Sequence, residues 1–86
     1  MYRIELSRRA QRDLRKIQRG NPRIFESIAQ AIDGLSHDPY PEGHKSLGGR
    51  EGYRVRIGSY RVLYSVEEDR LLVEVLRAGP RGDVYK

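Results

Sequence analysis

The 86-residue chain has no cysteine, which excludes a disulfide framework and any thiol chemistry. Its only histidines are His37 and His44, too few for a usual zinc site. No cluster of carboxylates is spaced to hold a hard cation, so no metal or other cofactor is expected. No apolar run is long enough to span a bilayer. The opening MYRIELSRRA lacks the apolar stretch of a secretory signal. These absences suit a cytoplasmic protein with no membrane partner, held together by packing alone. They also suit one domain over residues 1–86, because so short a chain has no room for a second core.

What the chain has is arginine. Of its 17 basic residues, 14 are arginine and three are lysine, against 12 acids, for a net charge of +5. Arginine's planar fork suits bidentate contact with phosphate, and a small domain this basic is a candidate nucleic-acid binder.

Residues 2–6, YRIEL, alternate at strand period. Ser7 is a good N-cap. After it Ala10, Leu14 and Ile17 fall at helical spacing, up to Gly20. Asn21-Pro22 offers a cap followed by proline at the first helical position. Ile24, Phe25, Ile28, Ala29, Ile32 and Leu35 then form the apolar stripe of a second helix. The short link predicts an antiparallel helical hairpin. Residues 36–52, with two prolines and four glycines, read as loop. Three strands follow, over 53–57, 60–66 and 71–78, with Gly58-Ser59 as a tight turn, 67–70 as a polar turn and 79–86 as a tail. The order β-α-α-β-β-β predicts an α+β domain. In it the helical hairpin packs on one face of a small, mainly antiparallel four-stranded sheet, and the other face is uncovered.

If the apolar sets face the helices, Arg54, Arg56 and Arg61 all stand on the uncovered face, as neighbours across the tight hairpin. Lys45 and Arg50 lie in the loop that leads into that hairpin, and Arg81 lies just past the last strand. Like charges this close cost stability unless an anion relieves them, and a phosphate backbone is such an anion. The alternative is a solvated face with these arginines paired to Glu51 and Glu74. Arg8, Arg9, Arg12, Arg15, Lys16 and Arg19 make the first helix basic as well, and read as a solvated face or a secondary contact with structured RNA.

Taken in order, YRIELSRRAQRDLRKI, GHKSLGG, YRVRIGSYRVLYSV and RAGPRGDVY resemble the RelE-type toxins of the RelE/ParE toxin–antitoxin family over essentially the whole length. The resemblance implies the toxin of a type II toxin–antitoxin system, a ribosome-dependent mRNA endonuclease acting through 2′-hydroxyl attack. It implies a cognate antitoxin, mRNA in the ribosomal A site with ribosomal RNA, and operator DNA only through the antitoxin; the free toxin is expected to be monomeric. Carried over by position, the catalytic set is Arg54, Arg56, Arg61, Arg81 and Tyr85, with Lys45 and Arg50 as substrate contacts. Familiar members carry lysine where this chain has Arg54 and Arg56. Arginine does not give up its proton, so the general base falls to Tyr85 or, second, His44. Two rivals stand beside this reading: a ParE-like inhibitor of DNA gyrase, and a non-enzymatic module acting through antitoxin and operator DNA. The retained arginines and terminal tyrosine favour the nuclease.

Overall fold

In the computed structural model, residues 1–48 and 51–80 are described. Strand β1 (Arg3–Leu6) runs into helix α1 (Arg8–Gly20) through Ser7. The Ser7 hydroxyl oxygen accepts from the Ala10 N–H at 3.0 Å and donates to the Leu76 carbonyl at 2.8 Å. One side chain thus caps the helix and ties its start to the sheet. Asn21 alone separates α1 from α2 (Pro22–Gly34). Its N–H donates to the Ile17 carbonyl at 2.7 Å, and its Oδ1 accepts from the Ile24 N–H at 3.3 Å. Closing one helix and capping the next at a single residue forces the tight reversal the sequence predicts.

Strands β2 (Lys45–Ser46), β3 (Tyr53–Ile57) and β4 (Tyr60–Glu67) follow, then a 3-10 turn (Glu68–Arg70) and β5 (Leu72–Pro80). Among the described residues the sheet has five strands in the order β1-β5-β4-β3-β2, not four. The extra strand is β2, two residues of the expected loop that pair antiparallel with β3. β1 runs parallel to β5, and the other pairings are antiparallel. The α+β class with a helical hairpin on the sheet stands. Among the described residues no helix is long and apolar enough to cross a membrane.

The core lies between the hairpin and one sheet face. Ala10, Ile17, Ile28 and Ile32 meet Val55, Val62, Tyr64, Val73, Val75 and Ala78. Tyr64 is fully buried, and its hydroxyl donates to the Pro39 carbonyl at 2.7 Å. Burial pushes its phenol up to about 12, so the group is a neutral anchor for the start of the 37–44 loop. A bulge beside Leu63 and Tyr64 places Arg77 opposite Leu63 and Val75 opposite Tyr64, leaving Leu76 as the extra residue. Strict alternation from Val73 and Val75 would turn Arg77 toward the helices; the bulge gives that inward position to Ala78.

The opposite face is not bare, as expected from alternation, but holds buried Arg61, Leu63 and Leu72. Leu63 lies between Arg54 and Arg77 in register, where long aliphatic stems on either side shield it from water.

Candidate nucleic-acid interface

Register decides which cations meet. Lys45 stands opposite Arg54, and Arg56 opposite Arg61. Residues directly opposite in an antiparallel sheet share a face, as do positions two apart on one strand. Lys45, Arg54, Arg56 and Arg61 therefore form one cationic patch across β2, β3 and β4, containing two like-charge pairs in direct opposition. Opposed like charges destabilise a sheet, so the Lys45–Arg54 pair is a local cost that an anion would relieve.

Exposure grades across the patch. Lys45 and Arg56 are exposed and Arg54 is half-buried. Arg61, expected in solvent, is only 4% exposed. It occupies the central strand, with Arg56 on one side and Gly79 on the other. A guanidinium held out of water acts in a lower dielectric, where its field on a bound anion is stronger. Among the described residues, Lys45, Arg54 and Arg56 make no ion pair; the pairs found there are Arg3–Glu5, Arg70–Glu67 and Arg77–Asp13. The solvated alternative, with arginines paired to Glu51 and Glu74, does not describe these three. A depression of about 210 Å³ is lined by Arg56, Gly58, Ser59 and Arg61, so the hairpin turn joins the site. The sequence signal for that was available: a two-residue turn lies one pair away from Arg56–Arg61, with only Ile57–Tyr60 between. Arg50, Arg81 and Tyr85 lie outside the described residues.

His44 sits elsewhere. Its Nδ1 is 2.8 Å from the Pro41 carbonyl, an arrangement that requires the proton on Nδ1. Its ring packs against Tyr40 and Tyr53, with centroids 5.7 Å away in both cases. Tyr53 belongs to the helix-facing set, whereas Lys45, the residue after His44, pairs with Arg54 on the other face. His44 is thus a packing residue of the loop that delivers Lys45.

That loop is latched by Glu68. Its carboxylate accepts from the Tyr2 hydroxyl at 2.5 Å and from the Tyr40 hydroxyl. The two phenols hold the Glu68 carboxyl below its ordinary range, and the carboxylate pushes both phenols up. A carboxyl with a lowered folded-state pKa stabilises the fold above its unfolded value, ordinarily 4.5, and the contribution disappears as pH falls through the folded value. The raised phenols contribute below their ordinary 10.0 and lose that contribution as pH rises toward their folded values. Glu68→Gln is therefore expected to flatten the acid limb of a thermal-midpoint against pH curve. An acid limb identical to wild type would show that the latch carries no stability.

Away from the patch, Arg8, Arg9, Arg12, Arg15, Lys16 and Arg19 are exposed on α1. Arg77, which sequence reasoning did not single out, extends the row Lys45–Arg54–Leu63 onto β5. Its Nε lies 2.9 Å from Asp13 Oδ2.

Comparison with known proteins agrees with this fold. The family model described as "ParE toxin of type II toxin-antitoxin system, parDE" matches residues 4–85. The toxin RelG of Mycobacterium tuberculosis is 32% identical over 89 positions, covering 99% of this chain and 97% of its own. Among solved structures, the toxin–antitoxin complex RelBE2 from Mycobacterium tuberculosis superposes with a TM-score of 0.79 at 29% identity, covering 93% of this chain and 98% of that one. The archaeal RelE–RelB complex from Pyrococcus horikoshii gives 0.75 at 26%, covering 95% and 97%. The chain belongs to the RelE/ParE family of toxins of type II toxin–antitoxin systems.

Proposed function

We propose that the toxin is a ribosome-dependent endoribonuclease that cuts mRNA in the ribosomal A site without a metal. The observation that carries this reading is the two pairs of opposed cations, Lys45–Arg54 and Arg56–Arg61, with Arg61 buried. Among the described residues Lys45, Arg54 and Arg56 make no ion pair, and cations gathered this closely on one face favour a polyanion. Relatives named RelG and RelE1 align over nearly the whole chain, which supports the RelE side of the family.

Cleavage begins when a ribose 2′-oxygen, losing its proton to a base, attacks the adjacent phosphorus. Charge builds on the five-coordinate phosphate. The bond to the 5′-oxygen then breaks, and that oxygen takes a proton, leaving a cyclic phosphate. Arg61 stabilises the developing charge, and Arg54 and Arg56 hold the backbone and add to the field. Arg81 serves the leaving oxygen and Tyr85 takes the 2′-proton, with Lys45 and Arg50 as outer contacts. Neither arginine in β3 replaces the base, because both keep their protons. The α1 arginines contact ribosomal RNA through its phosphates. A cognate antitoxin neutralises the toxin, as the solved toxin–antitoxin complexes suggest by likeness, and operator DNA is reached only through that antitoxin. The site of action is the cytoplasm.

The test is purified toxin in a translation extract. Message cut only while it is translated supports the reading; intact message overturns it. The ParE name of the matching family model favours a second reading, inhibition of DNA gyrase. Lost supercoiling activity with intact message would establish that reading instead.

A further inference from the structure

Round the end of the sheet from the arginine patch lies a second concavity. A cleft of about 370 Å³ opens between the last turns of α1 and the ends of β4 and β5. Lys16, Gly20, Asn21, Tyr60, Arg77 and Gly79 are among the residues that line it. We propose that this cleft seats the base of a ribonucleotide next to the phosphate held by Arg56 and Arg61. The inference rests on the ribonuclease reading and adds a base-recognition subsite to it.

The first support is continuity. Tyr60 immediately precedes Arg61 in β4, and their partners on β5 are Pro80 and Gly79. A nucleic-acid strand crossing Arg56 and Arg61 toward this end of the sheet meets the cleft next. The second support is chemistry. Single-stranded RNA is read by aromatic rings and guanidinium planes that stack on bases, with polar groups at base edges. Tyr60 supplies a half-buried ring. Arg77 supplies a guanidinium fixed at Nε by Asp13. Asn21 spends its Oδ1 on the Ile24 N–H, which leaves its amide NH₂ to donate. Lys16 makes no ion pair among the described residues and is placed for a phosphate. The one carboxylate lining the cleft, Asp13, is already engaged by Arg77 and by the Ala78 N–H at 3.0 Å, so it does not repel an anion. The third support is size, which falls at the lower end of the ~300–1,000 Å³ usual for small-molecule sites.

Gly20 makes the idea testable without disturbing the patch. A Cβ there would meet nothing within 4 Å, and leucine is a better helix former than glycine, so Gly20→Leu sets a bulky side chain on the lining of the cleft while α1 holds. The full chain would be titrated by NMR with AMP, GMP, CMP and UMP in turn, and with inorganic phosphate as the control. Saturable shifts are expected at the amides of Asn21, Tyr60, Ala78 and Gly79, differing among the bases and absent with phosphate alone. Gly20→Leu should abolish them, and Tyr60→Leu should weaken binding on the order of tenfold. No shifts at those amides, identical shifts with phosphate, or binding untouched by Gly20→Leu would overturn the subsite. On translating ribosomes, Gly20→Leu should change which positions are cut. A wild-type toxin that cuts message, with both variants cutting the same positions, defeats the subsite and leaves the ribonuclease standing. Base-dependent shifts with no cleavage of message defeat the ribonuclease and leave a nucleotide site.

Discussion

Replacing Arg61 by methionine is expected to cut the rate of message cleavage on translating ribosomes by a factor on the order of 10²–10³, while the thermal midpoint stays within about 5 °C of wild type. The two halves of this expectation have different causes. The rate falls because Arg61 is the least solvated cation of the patch, 4% exposed, and a charge held in a low dielectric gives more transition-state stabilisation than one in water. The fold survives because methionine keeps the length of the buried stem. It also removes a like-charge pair with Arg56, directly opposite, and the desolvation of a cation. Those gains offset the polar contacts that Arg61 loses. Arg61→Ala is the poorer test, since it also leaves a cavity. A methionine variant that cleaves at the wild-type rate would remove Arg61 from the chemistry. A collapse of the midpoint would make it a structural residue.

Proteins commonly hold a locally unfavourable arrangement at a functional site and compensate for it elsewhere. Here the unfavourable element is two pairs of opposed cations on β2, β3 and β4. The compensation is the apolar core behind them, where Val55, Val62 and Tyr64 pack against the helices. One strand pair carries both duties, because period-two alternation sends neighbouring residues to opposite faces.

That alternation is also why the patch was legible in the sequence. YRVRI separates arginines from apolar residues without a break, YRVLYSV does so except at Leu63, and the Gly58-Ser59 turn leaves one register between them. Alternation names a face but not its depth, so it gave no warning that Arg61 and Leu63 are buried. The bulge at Leu76 escaped for a related reason: LLVEVLRA is apolar at five of its first six positions and carries no local mark of an extra residue, which shows only in the register that sets Ala78 opposite Val62. β2 was invisible because Lys45–Ser46 has no pattern of its own; its two residues are strand only through pairing with β3. The capped helices, by contrast, were plain, since Ser7, Asn21 and Pro22 act through local hydrogen bonding and a fixed φ.

Removing the Asp13 carboxylate is expected to be strongly destabilising although the residue lies outside the apolar core. β1 pairs with β5 only over residues 72–75. Past Leu6 the outer edge of β5 would be unpaired, and unpaired strand edges are a liability. α1 covers it: Ser7 takes up the Leu76 carbonyl, and Asp13 Oδ2 accepts from both the Ala78 N–H at 3.0 Å and Arg77 Nε at 2.9 Å. The side chains of Asp13 and Arg77 are each 19% exposed, so solvent screens the pair only in part. Asp13→Ala deprives a backbone donor and a half-buried guanidinium of one acceptor at once. A cost of about 2–4 kcal/mol follows, which in a domain of this size lowers the thermal midpoint by roughly 10–25 °C. Asp13→Asn separates the two losses: it keeps an oxygen for the Ala78 N–H and removes the charge, and should recover about half of the deficit. Thermal unfolding of the three proteins decides the matter. An alanine variant as stable as wild type would mean that α1 is held to the sheet by its apolar stripe alone.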